Sequence, residues 1–148
     1  MKIVIGCDHC AYDYKETLKD MLQAEGHEMT DVGCYSSEAV DYPDIAKALC
    51  ARVLSGEADK GIILCGTGIG VSIACNKING IRCGLCTNST MAELTRAHND
   101  ANVLAMGARI IGIELAKDIV HTFLDTEFSN APRHIGRIEK LAEIEKEQ

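Results

Sequence analysis

The sequence predicts an α/β fold of three layers, α/β/α, around a five-stranded parallel sheet, and three observations lead there. Apolar runs alternate with amphipathic stretches along most of the 148 residues, the pattern of strands joined by covering helices. Near mid-chain, Gly61-Ile62-Ile63-Leu64-Cys65-Gly66-Thr67-Gly68-Ile69-Gly70-Val71-Ser72-Ile73-Ala74 reads as strand, glycine-rich turn and helix start, an arrangement that aims backbone N–H groups at an anion. Polar residues cluster where the apolar runs end, and ligands of open parallel sheets sit at the carboxyl ends of the strands. The expected sheet is doubly wound, with strand order 2-1-3-4-5.

In chain order, residues 2–6 read as a buried strand and 14–24 as a helix. Residues 28–32 form a weaker strand, and 44–54 return to helical spacing. The clearest strand is 60–65, followed by a helix over 71–77. Further strands lie at 82–86 and 103–106, with a helix over 91–98 between them, and 111–124 is a strongly amphipathic helix. Ser129-Asn130-Ala131-Pro132 breaks the pattern, and the charged tail beyond it carries Ile135, Ile138, Leu141 and Ile144 at three-residue spacing. That stripe needs a surface to cover, on its own domain or on a second subunit. The whole of 1–148 reads as one domain, with 130–148 as a helical tail.

Composition narrows the function. A 47% apolar content supports a full core without disulfide or metal. The net charge of −7, from 15 basic and 22 acidic side chains, argues against a nucleic-acid or anionic-membrane surface. It leaves room for a small phosphorylated ligand held by local arginines. No apolar run approaches the ~18 residues of a membrane helix. The opening segment is too short for a secretory signal, so the eight cysteines are expected as free thiols in a reducing cytoplasm. By the same reasoning the sequon Asn88-Ser89-Thr90 is read as chance.

The turn Gly66-Thr67-Gly68-Ile69-Gly70 is G-x-G-x-G. It is not the dinucleotide G-x-G-x-x-G, and it lacks the Lys-Ser/Thr of a nucleotide loop. It reads as an anion cradle of another kind, with Cys65 at its mouth as a candidate base or nucleophile. A helix N-terminus lowers a thiol's pKa from about 8.5 toward the ~3.5–7.5 range. Cys7-Asp8-His9-Cys10 and Cys83-Gly84-Leu85-Cys86 both match C-x-x-C. Metal binding is disfavoured, because Cys83 and Cys86 fall at i and i+3 of a strand and the two pairs lack a zinc-ribbon spacing. Asp8-His9, Asn88 and His98-Asn99 fall near element ends and are expected to share one cleft with Cys65. Taken singly, Asp8 would be a helix cap and His98-Asn99 an ordinary helix terminus. Arg109, Arg133 and Arg137 are candidates for a phosphate clamp, since the guanidinium fork donates two parallel hydrogen bonds. Arg133 and Arg137 share one helix face.

These residues resemble the type B ribose-5-phosphate isomerases and the galactose-6-phosphate isomerase subunits. The resemblance runs along essentially the whole chain. It rests on Gly6-Cys7-Asp8-His9, Asp41-Tyr42-Pro43, Cys65-Gly66-Thr67-Gly68-Ile69-Gly70, Ala74-Cys75-Asn76-Lys77, His98-Asn99-Asp100-Ala101-Asn102 and Gly107-Ala108-Arg109. It implies a Rossmann-like, metal-independent aldose–ketose isomerase without cofactor, working as a homodimer or a tetramer of dimers. Cys65 matches the base, and His98 the residue that opens the sugar ring or acts as acid. Asp8 and Thr67 match helpers around the sugar oxygens, and Tyr42 a substrate-binding position. His9, Arg109, Arg133 and Arg137 match phosphate binders, the last two from a neighbouring subunit. Asn99 and the amides of Gly66, Thr67, Gly68, Ile69 and Gly70 match the enediolate hole. A second branch of the family uses a Glu base where this chain has Val71, so the chain resembles the cysteine branch. The expected reaction interconverts ribose 5-phosphate and ribulose 5-phosphate. The alternatives are a six-carbon sugar phosphate (allose 6-phosphate or galactose 6-phosphate), a covalent cysteine nucleophile and a non-catalytic phosphosugar-binding module.

Overall fold

The structure, a computed structural model, describes residues 1–148. Strands β1 (Lys2–Cys7), β2 (Glu28–Asp31), β3 (Lys60–Cys65), β4 (Cys83–Leu85) and β5 (Val103–Gly107) alternate with helices α1 (Tyr12–Ala24), α2 (Tyr42–Leu54), α3 (Ile69–Asn76), α4 (Ser89–Asn99) and α5 (Ile113–Asp125). Helix α6 (Pro132–Lys146) closes the chain. Every strand pairing is parallel. The three-layer α/β/α class is the one the alternation predicts.

The strand order is 2-1-3-5-4 rather than 2-1-3-4-5. The two candidate edge strands differ in what they can bury. All five residues of β5 are buried, whereas β4 has only three residues, each half-covered. The short strand therefore takes the edge, where unpaired backbone is least costly, and β5 inserts beside β3 in the register Gly61↔Val103 to Cys65↔Gly107. Because β5 steps back toward the sheet centre, a right-handed crossover puts α4 on the opposite face from α3.

Two buried clusters confirm that division. One joins Ile3, Ile5, Ile62, Leu64 and Leu104 to Leu18, Leu22, Ala92, Ile119 and Phe123 of α1, α4 and α5. The other joins Val4, Ile63, Val103 and Ala105 to Leu49, Cys50, Val71 and Cys75 of α2 and α3. Cys83 packs toward the second cluster and Cys86 belongs to the first, so the two thiols of that C-x-x-C lie on opposite faces of the sheet.

Beneath the segment joining β2 to α2 lies a polar node with no counterpart in the hydrophobic pattern. Lys15 is wholly buried on α1. Its ammonium donates to Asp31 at 3.0 and 2.8 Å and to the carbonyl of Cys34, and pairs with Glu16 at 3.2 Å. The rings of Tyr12 and Tyr35 flank it. Burial works against the ammonium, but the hydrogen bonds with Asp31 and Glu16 outweigh it and hold its pKa above the ordinary lysine value. Burial likewise opposes the Asp31 carboxylate, and the bonds from Lys15 and Lys19 bring its pKa below the usual range. Asp31 also accepts the Gly33 amide at 2.9 Å. The node thus anchors the start of a segment that leads to Val40, Asp41 and Tyr42.

Candidate active site

Strands β1 and β3 are neighbours whose following helices, α1 and α3, cover opposite faces of the sheet. This is the switch point where open sheets form a crevice. Asp8 leaves the end of β1 there, and Cys65 ends β3.

The chain after Cys65 turns sharply into α3. Gly68 is the residue before the helix and has φ +78°, a backbone conformation that a side chain would strain. Its N–H donates to Cys65 Sγ at 3.1 Å. The Ile69 N–H donates to Thr67 Oγ1 at 3.1 Å. That leaves the amides of Gly70 and Val71 as first-turn donors with no acceptor inside the helix. The cradle lies hard against the end of β5. A Cβ on Gly107 would stand 2.4 Å from the Thr67 carbonyl carbon, and the Arg109 N–H donates to Gly66 O at 2.9 Å.

Other side chains gather around this turn. Arg109 lies over Gly66, with its Cδ 3.3 Å from where a Cβ would sit, and the Tyr42 ring lies against Gly70. Asp8 is 7% exposed, and one carboxylate oxygen caps the following turn by accepting the Cys10 N–H at 3.0 Å. Its other oxygen makes no hydrogen bond within the chain. His9 Nδ1 accepts the Val40 N–H at 3.3 Å. In the neutral ring that bond puts the proton on Nε2, the nitrogen left to meet a ligand. A cleft lined by His9, Val40, Asp41 and Asp44 opens beside it.

Cys65 differs from the other buried thiols in having a helix-terminal N–H aimed at its sulfur. Burial pushes Cys86 up to about 12, and burial together with nearby Cys34 raises Cys7 well above the ordinary thiol. Both are poor sources of thiolate.

His98 and Asn99 do not join this group within one chain. They end α4 just ahead of β5, whose first residue pairs with Gly61 and whose last pairs with Cys65. Four strand steps put them roughly 13 Å or more from the sulfur along the sheet. The single cleft expected from the sequence is therefore split between the two ends of the sheet. Asn88 also has a plain local role, capping α4 by accepting the Met91 N–H at 2.8 Å.

A second polar group forms around His98. The His134 ring stacks on it with centroids 4.3 Å apart, and Ser129 Oγ lies 2.6 Å from His134 Nδ1. Arg133 and Arg137 flank His134 in the first turns of α6, with no acidic residue in the first turn. The helix dipole disfavours cations at that end and favours an anion there. Sequence reasoning missed Val40 and His134. Nothing local marks Val40 as a partner of His9, and only the position of His134 between the two arginines could have drawn attention to it.

Comparison with known proteins supplies a family. Residues 3–141 match the Ribose/Galactose Isomerase family. Ribose-5-phosphate isomerase B of Escherichia coli (strain K12) is 45% identical, the match covering 97% of this chain and 96% of that protein. A galactose-6-phosphate isomerase subunit of Clostridium acetobutylicum is 40% identical, covering 100% of this chain and 87% of that protein. Among solved structures, the ribose-5-phosphate isomerase B of Clostridium thermocellum superimposes with a TM-score of 0.97 at 51% identity, over 99% of both chains. The chain belongs to the ribose/galactose isomerase family, and with it to the sugar-phosphate isomerases.

Proposed function

We propose that this enzyme interconverts ribose 5-phosphate and ribulose 5-phosphate through a cis-enediolate, with Cys65 as the general base. The observation that carries the reading is the Gly68 N–H on Cys65 Sγ at the mouth of a glycine cradle. That donor stands where a thiolate's charge would be.

Isomerisation begins from the open-chain aldose, so a cyclic sugar must first be opened. Asp8 and His98 move the protons of that step, one leaving the anomeric hydroxyl and one reaching the ring oxygen. The Cys65 thiolate then removes the C2 proton. The C–H electron pair becomes the C1=C2 double bond, and the carbonyl pair moves onto O1. The same sulfur returns its proton to C1, while the hydroxyl proton passes from O2 to O1 and C2 becomes the ketone. Backbone donors at the cradle and Asn99 meet the enediolate oxygen, whose charge exists only during the reaction. One such donor is worth about 2.7–4 kcal/mol. Thr67 Oγ1 already accepts an amide, so its hydroxyl proton is left for a sugar oxygen. His9 Nε2, Arg109, Arg133 and Arg137 hold the phosphate, and their binding energy keeps C1 and C2 in register with the sulfur.

His98, Asn99, Arg133 and Arg137 complete the site in this reading from a second copy of the chain. Two features support that. The first turns of α6 concentrate cations where the dipole wants an anion. The stripe of α6 is also uncovered, with Ile135, Leu141 and Ile144 at 39%, 46% and 51% exposure.

The test is turnover of ribose 5-phosphate in heavy water by wild type and Cys65→Ala. Wild type forms ribulose 5-phosphate and places solvent deuterium on the sugar carbon in those turnovers where the Cys65 thiol exchanges with solvent before returning its proton. Cys65→Ala abolishes turnover while inorganic phosphate still raises its melting temperature. A Cys65→Ala enzyme of normal activity removes the sulfur from the mechanism, and a trapped sugar adduct on Cys65 makes it a nucleophile instead. The kinship with a galactose-6-phosphate isomerase subunit keeps a six-carbon substrate in view. Comparing kcat/KM on ribose 5-phosphate and allose 6-phosphate decides between them.

A further inference from the structure

We propose that His134 is a positioning residue for His98, its ring forming a fixed platform that sets the imidazole delivered to the neighbouring site. The inference rests on the role given to His98 above and adds a residue to that machinery.

His98 lies at an exposed helix terminus, and its side chain makes no hydrogen bond within the chain. The contact that fixes it is the His134 ring, 4.3 Å away between centroids and tilted by 37°. The platform is itself held by two hydrogen bonds. Ser129 Oγ lies 2.6 Å from His134 Nδ1, so one ring nitrogen is committed to the hydroxyl. The backbone N–H of His134 donates to Ala131 O at 2.9 Å. The segment carrying Ser129 is strapped to α4, the helix that bears His98. The Ser129 N–H donates to Ala97 O at 3.0 Å, and Arg96 Nε donates to Thr126 O at 3.2 Å. His98 and its support therefore move as one unit.

Burial distinguishes His134 from its neighbours. It is 4% exposed, while Arg133 and Arg137 on the same turns are open. A phosphate meeting the arginines does not need the buried ring. Burial, with His98 and the two arginines nearby, also holds His134 below the ordinary histidine pKa. A neutral platform lets His98 gain a proton without a second cation stacked on it.

The experiment is a double-mutant cycle on ribose 5-phosphate turnover, with melting temperature and native mass recorded for each variant. His134→Ala is expected to lower kcat about tenfold with KM within about twofold, the signature of misalignment rather than lost binding. His134→Phe, which keeps a ring, should recover kcat to within about threefold of wild type. In a His98→Ala background, His134→Ala should change kcat by less than about twofold, because its effect passes through the missing imidazole. If His134→Ala does not fold, Ser129→Ala frees the ring without removing it and should lower kcat at unchanged KM. Multiplicative losses in the cycle overturn the proposal, as does a tenfold KM rise at constant kcat or a failure of His134→Phe to rescue. Full activity in His98→Ala refutes the parent reading of His98. Turnover by Cys65→Ala refutes the base alone and leaves the cycle interpretable.

Discussion

Gly107→Ala tests whether the anion cradle is held by backbone packing. The added Cβ would meet the Thr67 carbonyl carbon at 2.4 Å, its oxygen at 2.5 Å and its Cα at 2.7 Å. Carbon atoms rest at about 3.5–4.0 Å, so a peptide must move by roughly 1 Å. No rotamer change relieves the clash, because every atom met is main chain. Overpacking of this kind costs about 1–3 kcal/mol. At about 2–4 °C per kcal/mol for a chain of this size, the melting temperature should fall by about 2–12 °C. With Cys65 as the proposed base, the larger effect should be on catalysis, since the displaced peptide carries the Gly68 N–H that donates to its sulfur. A 1 Å misplacement of a reacting group costs about 10²-fold in rate. Calorimetry and a ribulose 5-phosphate assay read the two consequences separately. Gly112→Ala is the control: nothing lies within 4 Å of its Cβ, its φ is −73°, and kcat should match wild type, with only the small loss of melting temperature that a poorer N-cap brings. A Gly107→Ala enzyme with wild-type melting and wild-type kcat would refute the packing argument.

The Lys15 node predicts the direction of acid sensitivity. Asp31 and Glu16 both have carboxyl pKa values below the ordinary range, so their stabilisation is present above about pH 4 and lost as pH falls through the lower folded values. Melting temperature should drop steeply once the pH falls below about 4, and Asp31→Asn, less stable at neutrality, should show a shallower drop. The cysteines should separate by chemistry. Iodoacetamide at pH 8 is expected to modify Cys65 in the folded enzyme and to leave Cys7 and Cys86 intact, with a saturating sugar phosphate protecting Cys65 in peptide mass spectra.

Legibility from sequence tracked how local each feature is. The run into Cys65 and the three glycines after it state strand, turn and helix within fourteen residues, and β3, the cradle and α3 follow that reading closely. Helix α3 starts at Ile69 rather than at 71 because Gly68 takes a left-handed conformation and caps it. Helix α2 starts at Tyr42 rather than at 44, with Pro43 in its first turn, where a missing N–H costs nothing. The order of β4 and β5 was not legible, because both are apolar runs and their ranking depends on which one the sheet buries. No periodic pattern marks Lys15 as buried; Asp31 and the Cys34 carbonyl, brought over it by the fold, join the adjacent Glu16 in making its burial tolerable. The His9–Val40 contact spans 31 residues and has no periodic signature at all.

His98 shows a deeper limit, because one chain leaves it at the end of the sheet away from Cys65. Positions near element ends suggested one cleft, yet β5 carries the chain from the His98 end of the sheet to the Cys65 end. If a second copy supplies His98, inactivating substitutions in different chains should complement each other. Cys65→Ala and His98→Ala are each expected to be nearly inactive as pure proteins. In a mixed dimer, one site holds both substitutions and the other holds neither. Random pairing makes half the dimers mixed with one intact site in two, so an equimolar co-expressed population should regain about a quarter of wild-type activity. Were both residues used within one chain, every site would carry a defect and mixing would restore nothing. Activity that stays at the level of the separate variants, in a population shown by native mass spectrometry to contain mixed dimers, would end the shared-site argument and would require α4 to reach Cys65 by a rearrangement of its own sheet.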